Sequence, residues 1–139
     1  MKCDWKLSCF DKYKAYGPLL LRLALGIAFI VHGYAKLVDM PGTIGAFTSM
    51  GFGGGAMLAA WVTALAEFLG GIGVLVGFLT RASAVLISVV MLVALLKVKL
   101  SMGYLGGYEL DLAYLSMALS LLLMGPSKVS VEQDMMKKK

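Results

Sequence analysis

Four stretches of this chain, residues 17–38, 57–79, 82–100 and 107–124, are each an almost unbroken run of apolar side chains. Each holds about 18–23 residues, the length an α-helix needs to cross roughly 30 Å of hydrocarbon at about 1.5 Å per residue. Backbone in hydrocarbon has no water to bond to, so such runs must close their hydrogen bonds internally as helices. Four of them in 139 residues leave no room for a separate soluble domain. The expected fold is all-α: a four-transmembrane-helix bundle. The fourth run is the weakest, because Glu109 and Asp111 stand at its start and only residues 112–124 are wholly uncharged.

Composition agrees. Hydrophobic residues make up 60% of the chain and charged residues 15%, against about 25% charged in soluble domains. Mean hydropathy is +0.85. The bilayer is therefore the first expected partner.

The net charge of +5 is gathered at the ends of the runs. This yields three parts: a basic leader at 1–16, the membrane domain at 17–124 and a basic tail at 125–139. Orientation follows from Lys and Arg in the flanks. With the N-terminus cytoplasmic, Lys2, Lys6, Lys12, Lys14, Arg81, Lys128, Lys137, Lys138 and Lys139 lie inside, nine cations against Lys36, Lys97 and Lys99 outside. Both termini are expected in the cytoplasm, with the three outer lysines snorkelling at helix ends. Basic ends flanking apolar spans suit anionic headgroups, and no phosphate loop or nucleic-acid motif competes. The first run is too long for a signal-peptide core and reads as a retained helix. In the leader, Trp5, Cys9, Tyr13 and Tyr16 recur at helical spacing among lysines, which suits a short interfacial helix. Cys3 and Cys9 fall on the reducing side in this topology, so a structural disulfide between them is not expected.

Ionisable groups inside the spans carry the functional signal. A charge at mid-bilayer costs at least about 2.5 kcal/mol, so each demands a reason. Stepping about 100° per residue along the first run, Arg22, His32 and Lys36 fall on one broad face together with Gly26 and Gly33. In the second run Glu67 lies close to the midplane, on a face with Ala60, Thr63, Ala64, Gly70 and Gly71 that lets a neighbouring backbone approach. Antiparallel packing sets Glu67 between the levels of Arg22 and His32. An Arg22–Glu67 ion pair that locks the bundle and a ligand-binding or catalytic site are both compatible with that placement. His32 has two readings, a hydrogen-bonded core residue and a proton relay. At the outer end Lys97, Lys99, Glu109 and Asp111 form a second cluster in which opposite charges can neutralise one another.

Other chemistries are excluded. His32 is the only histidine, so a bis-histidine haem within the chain is out, though a haem shared with a partner is not. No His/Cys/carboxylate cluster stands at zinc spacing, so no metal site is expected. No Ser-His-Asp arrangement is suggested, and no cysteine lies within a span. No nucleotide or flavin site is evident, and no cofactor is read from the chain itself.

The strings RLALGIAFIVHGYAKL (22–37), EFLGGIGVLVGFLTR (67–81), GGYELDLAYL (106–115) and GPSKVSVE (125–132), in this order, resemble the DoxX family. The resemblance runs from about residue 20 to 132. It implies a four-helix integral protein of a prokaryotic cytoplasmic membrane, in a family linked to thiosulfate:quinone oxidoreductase and to membrane complexes handling sulfur and oxidative stress. Matching positions are Arg22, His32, Gly33, Lys36, Glu67, Gly70, Gly71, Arg81, Gly107 and Glu109. Lys97 and Lys99 stand where relatives often carry a histidine, and Ser127 replaces a usual glycine.

The expectation that follows is a redox-associated membrane subunit that binds or reduces quinone together with other subunits. Glu67 and His32 would be the catalytic residues, and Arg22, Lys36 and Glu109 would meet the substrate. Quinone reduction consumes protons, which buried titratable groups can deliver. The rival from another class is a non-catalytic accessory subunit whose polar face is helix glue. Transport of a small anion or proton draws on the same charges, but four helices are few for a monomeric transporter, and assembly with further copies of the chain would be needed.

Overall fold

The structure is a computed structural model, and it describes residues 7–138. Six α-helices are joined by tighter and wider helical turns: α1 Gly17–Val38, α2 Met40–Phe47, α3 Ala56–Val76, α4 Thr80–Ala94, α5 Glu109–Met124 and α6 Val131–Met136. With their extensions they form four helical stretches long and apolar enough to cross a membrane: Ser8–Val38, Met40–Val76, Thr80–Met102 and Tyr104–Met124. The chain reverses after each, so α1 and α4 run one way and α3 and α5 the other. We call the end carrying the leader and tail proximal and the opposite end distal. The helices pack in the order α1, α3, α4, α5, with α5 returning to α1.

The α1–α3 contact is the most intimate, and glycine makes it so. A methyl group at Gly26 would come within 2.8 Å of Leu75 Cβ, and one at Gly71 within 2.7 Å of the Ile30 nitrogen. Gly33 lies equally hard against the Phe68 backbone. In lipid, where apolar association gains nothing from water, such close approach supplies the dispersion contact that holds helices together. Leu25, Phe29, Val74, Ala84, Ile87, Met91, Ala118 and Leu121 fill the bundle interior. Large apolar side chains such as Leu20, Ile27, Leu58, Leu69 and Leu123 point outward, as they must in hydrocarbon.

Helix α1 covers residues 17–38 within the first stretch. The others shift for local reasons. Gly77 adopts the left-handed conformation (φ 71°, ψ 43°) that closes α3, its N–H returning to the Gly73 carbonyl, so the second span stops before 79. The third begins at Thr80 and widens into a looser helix over Leu95–Lys99. The fourth begins at Glu109 rather than 107, behind a bend at Leu105 and Gly106. The helix α2 was not expected: its Met-Pro-Gly start reads as loop, yet Asp39 caps it by accepting a hydrogen bond from the Gly42 N–H at 3.0 Å.

The leader forms a 3-10 helix over Ser8–Tyr16 with no buried residue. Trp5 and Cys3 lie outside the described residues. The expectation about a Cys3–Cys9 disulfide falls, with Cys3, outside the described residues.

Candidate functional site

Two polar sites separate along the bundle. At the proximal end Arg22 is buried and, among the described residues, binds no carboxylate. Its Nε donates to the Val74 carbonyl at 2.8 Å and its Nη2 to the Leu75 carbonyl at 2.8 Å. Its Nη1 donates to Ser127 Oγ at 2.7 Å and to the Val129 carbonyl at 2.6 Å. Val74 and Leu75 belong to the last turn of α3, where carbonyls have no helical N–H to accept from. Arg22 is thus a side-chain cap of α3, its charge set at the negative end of the helix dipole. The expected pairing of Arg22 with Glu67 is corrected: the guanidinium finds enough oxygen in backbone and a serine.

The tail completes this clasp. Glu132 accepts from the Thr80 N–H at 3.1 Å through Oε2 and donates its own N–H to the Gly77 carbonyl at 3.0 Å. Ser127, where family resemblance led to a glycine, supplies the hydroxyl that Arg22 reaches.

The distal half holds a cavity of about 500 Å³ walled mainly by apolar side chains. His32 and Lys36 enter from α1, Thr63 and Glu67 from α3, Asp111 and Tyr114 from α5, and Lys99 from the widened end of the third span. Glu67 is buried and forms an ion pair with Lys36. Lys36 therefore turns inward to a carboxylate rather than snorkelling, because a partner close by in low dielectric outweighs a reach to water. The ring of Tyr114 stands edge-on to two neighbours, with centroids 5.5 Å from Phe29 and 6.5 Å from His32.

Of the residues singled out in the sequence, the structure brings His32, Lys36 and Glu67 together around one cavity. Arg22 lies apart at the proximal end. Glu109 is exposed and accepts from the Gly106 N–H at 3.1 Å, closing the turn before α5 instead of lining the cavity. The outer cluster also divides. Lys99 and Asp111 line the cavity, Lys97 does not, and among the described residues the four form no ion pair with one another.

Sequence reasoning missed Tyr114 as a wall residue, although its spacing of three from Asp111 sets both on one face of α5. It also missed Phe47, Met50 and Phe52, which cover the cavity from α2 and the turn after it. The rings of Phe47 and Phe52 meet at a tilt of 56°, with centroids 5.1 Å apart. Gly51 (φ 87°) and Gly53 (φ 50°) allow the reversal that folds them over. Among the described residues no group of three His, Cys, Asp or Glu could hold a metal ion.

A bundle of four apolar helices around a cavity holding a partly buried ion pair defines a multi-span membrane protein with an intramembrane polar site. The chain belongs to the DoxX family, which it matches over residues 17–100. It is similar to a Bacillus subtilis protein named "Putative oxidoreductase CatD", 36% identical over 123 residues that cover 88% of this chain and 90% of that protein. An uncharacterized protein of Haemophilus influenzae is 30% identical over 136 residues, covering 92% of this chain and 97% of its own length. No solved structure matches the chain.

Proposed function

We propose that the distal cavity binds a quinone and that the chain, acting with partner subunits, takes part in its reduction. The observation that carries this reading is the cavity itself: apolar walls within the span region, and one titratable set, His32 with the Lys36–Glu67 pair, at its side. Its volume lies within the roughly 300–1,000 Å³ usual for small-ligand pockets. His32 donates to a quinone oxygen, Lys36 contributes positive potential, and Glu67 passes protons. Reduction to the quinol takes up two electrons and two protons; the electrons come from a partner subunit. Arg22 frames the site from the far end rather than touching the ring. The name of the Bacillus subtilis relative agrees with a redox role.

The test is titration of the detergent-purified protein with a quinol analogue. Binding that weakens in Glu67→Gln and His32→Ala supports the reading; no binding in wild type, or binding unchanged in both variants, removes it.

The membrane is the cytoplasmic membrane of a prokaryote, both termini facing the cytoplasm, as the lysine distribution argues. A C-terminal alkaline phosphatase fusion that is inactive, beside an active one placed after residue 39, supports this orientation; the reverse pattern overturns it.

The same ion pair favours a second reading, in which Lys36–Glu67 fixes the α1–α3 register of a non-catalytic accessory subunit. There Glu67→Gln lowers assembly of the complex but leaves turnover per assembled complex unchanged.

A further inference from the structure

The cavity has a second polar pole, which the quinone reading leaves idle. Lys99 enters it from the third span and Asp111 from the first turn of α5. Asp111 precedes Tyr114 by three residues, so it stands about 4.5 Å nearer the distal end on the same helix face. Lys36 stands about 6 Å distal of His32 on α1, and His32 faces Tyr114. Asp111 and Lys36 therefore lie at about the same depth on neighbouring helices.

Their situations differ. Lys36 and Glu67 satisfy each other. Among the described residues, neither Asp111 nor Lys99 has a hydrogen-bond or ion-pair partner. The pole offers a ligand one group that only accepts, the carboxylate, and one that only donates, the ammonium.

A quinone presents carbonyl oxygens, which accept and cannot donate; a quinol presents hydroxyls, which do both. Lys99 can donate to either form. Asp111 gains a partner only from the hydroxyl, and against a carbonyl it faces oxygen with oxygen. We infer that Asp111 is a specificity-determining residue through which the cavity holds the reduced ring more tightly than the oxidised one. The inference rests on the quinone reading. A carboxylate–hydroxyl bond gives roughly a tenfold preference or more. A site that prefers the reduced form makes its bound quinone easier to reduce, and tenfold corresponds to about 30 mV for a two-electron couple.

The experiment measures equilibrium binding of a short-chain benzoquinone and of its quinol, without oxygen, to the full chain in neutral-lipid nanodiscs. Wild type is compared with Asp111→Asn and Asp111→Glu, and with Asp134→Asn as a control at the proximal end. Wild type and Asp134→Asn should bind the quinol at least tenfold more tightly. Asp111→Asn should lose the preference, because its amide can donate to a carbonyl, and the midpoint potential of its bound quinone should fall by about 30 mV. Asp111→Glu should restore part of the preference. Equal affinities in wild type overturn the inference without recourse to any variant and leave the quinone reading standing. A preference that survives in Asp111→Asn overturns it as well. Binding of neither form by wild type removes both readings together.

Discussion

Replacing Arg22 by Met keeps a long apolar stem but withdraws every hydrogen bond that Arg22 makes in the proximal clasp. Four acceptors are touched, and their fates differ. Val129 retains the Ser127 hydroxyl, which donates to its carbonyl at 2.9 Å. The Val74 and Leu75 carbonyls are left as the open end of a helix, with Met where their donor stood. An orphaned buried polar group costs about 1–3 kcal/mol, so the pair costs about 2–6 kcal/mol. Folded domains hold only about 5–15 kcal/mol in all, so the midpoint of thermal unfolding in detergent should fall by roughly 10 °C or more. Hydrogen exchange should rise together at α3's last turn and at residues 127–132, because one side chain holds both. Arg22→Lys should fall between wild type and Met, since an ammonium keeps the charge but not the planar fork. Quinone affinity per folded molecule should stay close to wild type. A Met variant with unchanged melting and exchange would refute the clasp, and one that folds normally but loses the ligand would return Arg22 to the binding site.

Three further outcomes follow from the packing. Lys36→Met strands Glu67 in the cavity wall and should cost about 3–5 kcal/mol, most of it recovered in the Lys36→Met/Glu67→Leu double variant; a double-mutant cycle on detergent-solubilised protein measures this. Gly71→Val forces α1 off α3 and should destabilise by at least 1–3 kcal/mol (roughly), whereas Gly45→Ala in α2, where a methyl meets nothing within 4 Å, should be neutral or stabilise by up to about 1 kcal/mol; paired thermal melts decide both. Among the described residues the buried Thr80 hydroxyl has no hydrogen-bond partner, so Thr80→Val should leave stability unchanged or raise it, and chemical denaturation reads the difference.

How far these features can be read from sequence depends on what satisfies each group. The spans are written in run length, because hydrocarbon thickness fixes it. His32, Lys36 and Glu67 could be placed on facing helix surfaces because helical periodicity survives any detail of packing. The partner of Arg22 was out of reach for a specific reason. A tally of charges looks for a carboxylate, yet the groups that meet this cation are main-chain carbonyls freed by a helix end and a hydroxyl 105 positions away. The choice between Arg22 and Lys36 as partner of Glu67 is likewise decided by depth, which composition does not encode. The α2 helix carried a usable signal, Asp39 followed by Pro41 and the Gly42 N–H it caps, but eight residues rich in Gly and Pro are outweighed by their own propensities. The cavity wall built by Phe47, Met50 and Phe52 depends on a glycine reversal whose direction sequence leaves free.

The proximal clasp also sets an order of events in the making of the protein. Of these four spans the one carrying Arg22 leaves the ribosome before the others, and α3's orphaned carbonyls appear some fifty residues later. Ser127, Val129 and Glu132 follow only after the fourth span. Until then the guanidinium has half its oxygens, and the Thr80 N–H waits for Glu132. All four spans can enter the bilayer before the bundle can close, so residues 127–132 fasten spans that are already in place. A chain cut just before Ser127 keeps every membrane span and lacks the segment that tells a finished bundle from an unfinished one.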